Sequence, residues 1–184
     1  MNYEVFTWIN RFADQNPLLD DAFIFLSKYA IWIMIVVLAL VWIRGNRKQQ
    51  RMVVYAFIGA AFAVLSTKIV IAPWIGHPRP FTEHSVHQLI DHTPDGSFPS
   101  KHAAFAFTLA FLSFAINRPV GRVMLILAVL IGLSRVYVGV HYPADILGGA
   151  VFAVILSSLL FYTRSFTSAV PDFFIQMYRK MIRS

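Results

Sequence analysis

The 184-residue chain is 58% hydrophobic and 14% charged, with a mean hydropathy of +0.62, whereas an ordinary soluble domain is about 45–50% apolar and about 25% charged. A soluble fold of this size could not hide so much apolar surface, so composition predicts an all-helical integral membrane protein, one domain over residues 1–184. The absence of Cys excludes a disulfide framework, a thiolate metal site and a cysteine nucleophile. The N-terminus lacks a cleavable signal pattern.

Five apolar segments follow one another along the chain. A helix needs roughly 20 mostly apolar residues to cross a bilayer. The predicted spans cover residues 22–43, 53–75, 103–116, 121–138 and 144–162. The third is short, and Lys68 and Pro73 interrupt the far half of the second.

Both ends of the chain carry apolar residues at helical spacing opposite polar ones. In the first 16 residues Val5, Ile9 and Phe12 recur opposite Arg11, and after residue 170 Phe174 and Met177 belong to a similar stripe. This pattern predicts two short amphipathic helices at the membrane interface. Either could instead extend a spanning helix or pack on the bundle.

The basic residues divide unevenly between the two sides that five spans create. Ten fall on one side, which the positive-inside rule makes cytoplasmic; they are Arg44, Arg47, Lys48, Arg51, Arg118, Arg122, Arg164, Arg179, Lys180 and Arg183. All six histidines and eight of the nine acids fall on or beside the other side. The net charge of +7 is therefore interpreted as a signature of topology, and no nucleic-acid partner is expected.

Four further cations lie at the outer ends of the spans, close to histidines: Lys68, Arg79, Lys101 and Arg135. A charged group within a membrane segment is costly and usually faces a polar cavity. The sequence offers no matching cluster of acids, so we expect the neutralising anion to be a ligand. Phosphate fits best, since a guanidinium binds its oxygens two at a time.

The third span opens on a helix N-terminus suited to an anion. Ser100 is predicted to be the N-cap, so the following backbone N–H groups lack helical partners and can bind phosphate. His102 then lies in the first turn. The alternative is a capped helix with an interfacial histidine.

A second polar segment precedes the fifth span. Pro143 suits the first position of a helix, which places Asp145 in the first turn. Asp145 lies four residues after His141 and can accept a hydrogen bond from one ring nitrogen, leaving the other free to attack. A helix-capping aspartate beside an interfacial histidine is the simpler interpretation.

Together these segments resemble a known family. Arg79-Pro80, Pro99-Ser100-Lys101-His102, and Ser134-Arg135 followed by His141 and Asp145 are similar to the three signature segments of the type 2 phosphatidic acid phosphatase superfamily. The resemblance implies a helical membrane core and a phosphate site that uses neither metal nor cofactor. The histidine-rich run after Phe81 resembles the bacitracin-resistance type of undecaprenyl diphosphate phosphatase.

The resemblance also implies a role for each matching residue. His141 would be the nucleophile that forms a phosphohistidine, Asp145 would orient it, and His102 would protonate the leaving group and then activate water. The phosphate would be held by Arg79, Arg135, Ser100 and the backbone at Lys101. The chain departs from the family at two positions: Lys68 precedes Arg79 by eleven residues instead of seven, and Lys101 replaces a glycine. We therefore expect Lys101 to bind phosphate more strongly than Lys68.

These observations leave several functions open. The first is hydrolysis of undecaprenyl diphosphate to undecaprenyl phosphate and phosphate on the outer face of the bacterial plasma membrane, in cell-wall precursor recycling. The second is the same chemistry on phosphatidylglycerol phosphate or phosphatidic acid, and the third is anion transport or lipid binding without catalysis. His84, His87 and His92 could form a metal site, but solvated loop histidines are favoured because cations dominate their surroundings. The sequence indicates no protein partner.

Overall fold

The computed structural model describes residues 1–181, and the described chain is built from helices and loops. Their bounds are α1 Asn2–Asn10, α2 Pro17–Arg44, α3 Arg47–Ser66, α4 Ala72–Ile75, α5 Pro80–Glu83, α6 Lys101–Ile116, α7 Arg118–Tyr137, α8 Pro143–Thr163 and α9 Ala169–Met181. The π-helical turn Thr67–Ile71 joins α3 to α4. The predicted all-helical membrane fold is confirmed.

Local sequence explains where the long helices begin. The Asn16 side chain accepts hydrogen bonds from the backbone N–H groups of Leu18 and Leu19, with Pro17 next in the chain. Asn46 and Gln49 form a reciprocal capping box at the start of α3. The predicted Ser100 cap is present, since its hydroxyl accepts from the Ala103 N–H at 3.4 Å. These caps satisfy N–H groups that a helix leaves unpaired.

The helix α6 lies at the centre of the bundle and contacts α3, α7 and α8. Alanines at its buried positions, including Ala103, Ala106 and Ala110, allow close packing of the kind that small residues give in membrane helices. Four of the five predicted spans lie in stretches long and apolar enough to cross a membrane. The predicted third span, α6, has 16 residues, which is about 24 Å of rise.

The second span remains helical past Pro73, where a break was expected. Proline has no N–H and its ring crowds the preceding turn. The π-helical turn just before Pro73 widens the helix, which ends only at Gly76 in the left-handed conformation, with φ 61°. Lys68 lies within this turn.

The two terminal helices pack on the bundle. The nine residues of α1 span about 14 Å, too short to cross a bilayer, and α1 contacts α7 and α8 with Phe6 and Asn10 buried. The helix α9 packs against α3 with Pro171 and Ile175 buried. Interface placement stays a prediction, whereas packing on the bundle is observed.

The charge asymmetry predicted from five spans is present in the fold. The α2–α3 turn, the α6–α7 turn and the end of α8 meet at one end of the bundle, called here the basic end. The α4–α6 loop and the α7–α8 junction meet at the opposite end, called here the site end. Arg183 lies outside the described residues.

Candidate active site

Three segments converge at the site end: the loop from Gly76 to Ser100, the first turn of α6 and the α7–α8 junction. The Ser100 N–H donates to the Asp145 backbone carbonyl at 3.0 Å, which fixes the start of α6 against α8. A Cβ at Gly149 would lie 2.9 Å from the Ser100 carbonyl oxygen. Glycine at this position therefore permits the approach that brings the second and third predicted segments together.

Arg79 is completely buried and lies at the centre of the site. Its Nη1 donates to the Val140 carbonyl at 2.8 Å and lies 3.2 Å from Nε2 of His141. On its other edge, Nε and Nη2 donate to Oδ1 of Asp95 at 2.9 and 2.7 Å. One guanidinium thus contacts the predicted nucleophile and a carboxylate at once.

The His141 ring is held in one tautomer. Arginine can only donate, so Nε2 facing Arg79 is an acceptor and carries no proton. The proton is therefore on Nδ1, which donates to Oδ2 of Asp145 at 3.2 Å. The same Oδ2 accepts from the Tyr142 N–H at 2.8 Å and from the Ser97 hydroxyl. The predicted His141–Asp145 pair is present and buried.

Burial and positive charge keep His141 neutral. Its ring is 1% exposed, and this burial, followed by the charges of Arg79 and Arg135, lowers its pKa well below the ordinary value. A buried imidazolium among cations is disfavoured on both counts. Nε2 therefore retains its lone pair at neutral pH.

Asp95 corrects the expectation that no acid neutralises the cations. Besides Arg79, it accepts from Nζ of Lys101 at 2.8 Å, and 43% of its side chain is exposed. Burial raises the pKa of this carboxyl, but hydrogen bonds from Lys101 and Arg79 outweigh that effect and bring the pKa to about 2. Asp95 thus bridges the two cations that were expected to bind phosphate.

Arg135 and His102 retain unused polar atoms. Arg135 is 3% exposed, and its Nη1 donates to the Ser27 hydroxyl at 2.8 Å. Its Nε and Nη2, and Nδ1 of His102, are buried without a hydrogen-bond partner among residues 1–181. Unpaired buried donors are costly, so these groups are suited to an anionic ligand.

The two lysines differ in their surroundings. Lys101 is bound to Asp95 beside Arg79, whereas Lys68 is exposed and forms no hydrogen bond or ion pair with the described part of the chain. The structure therefore joins Lys101, but not Lys68, to the cluster.

Sequence reasoning missed several residues of the site. Asp95 and Ser97 lie directly before the recognised Pro99-Ser100 motif, but the single sequence gave no signal for their contacts. His92 was expected to be a solvated loop histidine, yet its ring centroid lies 6.3 Å from that of His141 and its side chain is 15% exposed. His77 lies with Nδ1 4.0 Å from Oδ1 of Asp145.

The other two loop histidines lie outside the cluster. His87 pairs with Asp14 at 3.0 Å, and the His84 ring packs on Tyr3 with centroids 4.0 Å apart. Within residues 1–181, no three His, Asp or Glu side chains are grouped as metal ligands. The metal-site alternative therefore has no geometric support in the described chain.

Comparison with known proteins finds relatives over most of the chain. The family model for the PAP2 superfamily matches residues 52–168. Undecaprenyl-diphosphatase BcrC of Bacillus subtilis is 36% identical over 183 residues, covering 99% of this chain and 94% of the relative. Bacitracin transport permease protein BcrC of Bacillus licheniformis is 30% identical over 181 residues, covering 98% and 89%.

A solved structure has the same fold. The crystal structure of LpxE from Aquifex aeolicus superposes with a TM-score of 0.66 at 26% identity, covering 86% of this chain and 93% of that one. The matched family region contains the π-helical turn and all three predicted motif segments, including the His141–Asp145 pair. The chain belongs to the PAP2 superfamily.

Proposed function

We propose that the protein is a membrane lipid phosphatase that hydrolyses undecaprenyl diphosphate to undecaprenyl phosphate and phosphate through a phosphohistidine at His141. The observation that carries the proposal is the His141 ring, whose Nδ1–H is held by Asp145 while Nε2 faces the cation Arg79. An anion or lipid binder would need no oriented, neutral imidazole. The Bacillus subtilis relative bears the name of this activity.

In the first step, Nε2 of His141 attacks the terminal phosphorus, and the bond to the bridging oxygen breaks. His102, in the first turn of α6, protonates the leaving undecaprenyl phosphate. Asp145 stabilises the positive ring that forms when Nε2 becomes bonded to phosphorus, as an orienting carboxylate does in a catalytic triad. The Ser97 hydroxyl and the Tyr142 N–H hold that carboxylate in place.

In the second step, His102 removes a proton from water, and the water oxygen attacks the phosphohistidine. The N–P bond breaks, phosphate leaves, and His141 regains its neutral form. A single positioned histidine can act as general acid in the first step and as general base in the second.

Hydrogen-bond donors and positive charges in fixed positions stabilise the negative charge on the transferred phosphoryl group. In this proposal the phosphoryl oxygens are bound by Arg79, by Nε and Nη2 of Arg135, which lack partners in the described chain, and by Ser100 and the N–H groups at the start of α6. Stabilisation by preorganised donors and positive charge is the main source of catalysis in phosphoryl transfer. Arg79 releases Asp95 and His141 when it takes up the phosphate oxygens.

We place the site end on the outer face of the bacterial plasma membrane. The support is the concentration of Lys and Arg at the basic end, which the positive-inside rule assigns to the cytoplasm. A Cys introduced at His87 should react with an impermeant thiol reagent in intact cells, while one at Lys48 should not. The reverse labelling pattern would refute the orientation but would leave the proposed reaction unaffected.

Phosphate release by the purified protein tests the activity. The substrates are undecaprenyl diphosphate, phosphatidylglycerol phosphate and phosphatidic acid, with the His141→Ala variant as control. We expect the highest kcat/KM on the diphosphate and no detectable phosphohistidine in the variant. Higher kcat/KM on a glycerol lipid would reassign the substrate, and release that persists in His141→Ala would refute the mechanism.

A further inference from the structure

A second concave region lies at the basic end, opposite to His141. It is a cavity of about 990 Å³ between the start of α3, the end of α6 and the end of α8. Its walls include Arg47, Lys48 and Arg51 from α3 and Arg164 after α8, with the aromatic rings of Phe161 and Tyr162. The mechanism of hydrolysis uses none of these residues.

The positive charge of this cavity is only partly balanced. Asp172 of α9 binds Arg51 with contacts of 2.9 and 2.6 Å and Arg47 at 3.2 Å. No other carboxylate side chain of residues 1–181 forms an ion pair at this end. Lys48 has no hydrogen-bond partner in the described chain, and the Arg164 guanidinium stacks 3.6 Å from the Phe161 ring centroid. Four cations thus face one carboxylate, and a concave surface concentrates the remaining positive potential.

A mainly apolar cleft, whose walls also include Ser157 and Ser158, continues from the cavity along the bundle. The cleft has a volume of about 260 Å³, and it shares Ala115, Phe161 and Tyr162 with the cavity. It runs between α6 and α8 past Phe111 and Val154. The stretch from Phe161 to Val154 is seven residues, or about 10 Å of helix rise.

We propose that this cavity and cleft form a binding site for an anionic phospholipid. Its phosphate lies among Lys48, Arg164 and the two arginines of α3, and one acyl chain lies in the cleft between α6 and α8. A basic pocket between membrane helices fits an anionic head group, while a cleft with mainly apolar walls fits an acyl chain. Free phosphate shares the first feature but not the second.

The lipid adds a link between α3 and the end of α8, which the Tyr55 hydroxyl already joins by donating to the Arg164 carbonyl at 2.9 Å. Asp172 already links α9 to α3, and a phosphate bound by both Lys48 and Arg164 links α3 to the end of α8. Binding to the folded state stabilises it in proportion to ligand concentration over Kd. The site therefore predicts lipid-specific stabilisation that is independent of turnover.

The test measures lipid binding by native mass spectrometry and thermal unfolding of the full-length His141→Ala protein in detergent. Phosphatidylglycerol, phosphatidylcholine and inorganic phosphate are added separately. We expect phosphatidylglycerol to bind and raise Tm, with little effect of phosphatidylcholine. Inorganic phosphate also fits the cations of the site end, so any rise in Tm that it causes should be the same with and without Lys48 and Arg164. The double variant Lys48→Gln/Arg164→Gln should weaken binding by roughly 25-fold, at about fivefold for each cation removed near the surface.

Two further variants separate this site from general charge effects. Arg118→Gln/Arg122→Gln removes two exposed cations from the same end without touching the cavity, and it should bind like the parent. Ala115→Trp fills the junction of cavity and cleft, and it should lose phosphatidylglycerol binding with every charge retained. Equal losses in both double variants would overturn the site. Binding of inorganic phosphate that depends on Lys48 and Arg164 as strongly as lipid binding does would overturn the acyl-chain assignment. Neither result bears on hydrolysis, because His141 is absent throughout.

Discussion

Each end of the bundle contains one aspartate that bridges two cations, but the surroundings of the two bridges differ. At the site end, Asp95 joins Lys101 to Arg79, which has no exposed surface. At the basic end, Asp172 joins Arg47 and Arg51, whose side chains are 53% and 40% exposed. Both bridges consist of one aspartate and two cations, and they differ in how deeply the bridged arginine is buried.

Burial decides what each bridge can do. An exposed arginine that loses its partner turns to water at little cost, so an exposed ion pair contributes little. A buried arginine cannot turn to water, so breaking its ion pair leaves an uncompensated charge in the interior. Arg79 can therefore exchange Asp95 only for another anion, which makes the site end selective for a phosphate-bearing substrate. The basic end can bind anions more loosely. Matched substitutions at the two ends test this difference.

The largest expected effect comes from the buried carboxylate that orients His141. Asp145→Asn keeps the shape of the side chain but can present its amide to Nδ1, which favours the wrong tautomer. We expect kcat to fall by about 10⁴-fold, as for the equivalent change in a catalytic triad. Ser97→Ala removes one hydrogen bond to the same carboxylate, and it should cost roughly tenfold, about 1.4 kcal/mol. The measurement is kcat for phosphate release, and equal losses in the two variants would contradict an orienting function for Asp145.

A smaller effect is expected from the lysine at the start of α6. Lys101→Ala removes a charged donor from the phosphate position, and it should lower kcat/KM by roughly 10- to 100-fold, the value of a charged hydrogen bond. Lys68→Ala should change kcat/KM by less than about threefold, since Lys68 is exposed and contacts no other member of the site. A larger loss in Lys68→Ala would show that the family's lysine position retains its function despite the longer spacing.

The two bridging aspartates provide the direct comparison. Asp95→Asn removes the carboxylate that competes with phosphate for Arg79 and Lys101, so inorganic phosphate and vanadate should inhibit at about tenfold lower concentration, about 1.4 kcal/mol. Asp172→Asn should leave both inhibition constants unchanged. Weaker inhibition of Asp95→Asn would mean that Asp95 holds Arg79 in its binding position.

The smallest effect is a shift in the pH profile. His141 must be neutral to attack, and its pKa lies well below 6.5 because of burial and nearby positive charge. Protonation, and with it the loss of kcat/KM, should therefore begin only below pH 6.5. Lys101→Ala removes one of those charges, so its acid limb should move to higher pH, whereas Lys48→Ala at the basic end should leave the limb in place. The pKa of Asp95 is about 2, so Asp95 stays ionised throughout this range.

Local sequence determined the helices and much of the site. The caps at Asn16, Asn46 and Ser100 act through neighbours within three residues. The spacing of four places His141 just before α8 and Asp145 in its first turn, where the two side chains come within hydrogen-bond distance. Counting the predicted spans also placed ten basic residues at one end of the bundle and the histidines at the other. Each of these features depends on short-range geometry or on the bilayer, and both can be deduced from residue order.

Only the tertiary structure decided which charges meet. Asp95 is 16 residues from Arg79 in a loop without regular structure, so its bond to Arg79 could not be deduced from spacing. Asp172 and Arg51 are 121 residues apart. The burial of Arg79, which makes its bridge different from that of Asp172, arises because the α4–α6 loop folds over the α7–α8 junction. Which face of a loop is covered depends on long-range packing, and neither hydrophobic periodicity nor capping rules contain that information.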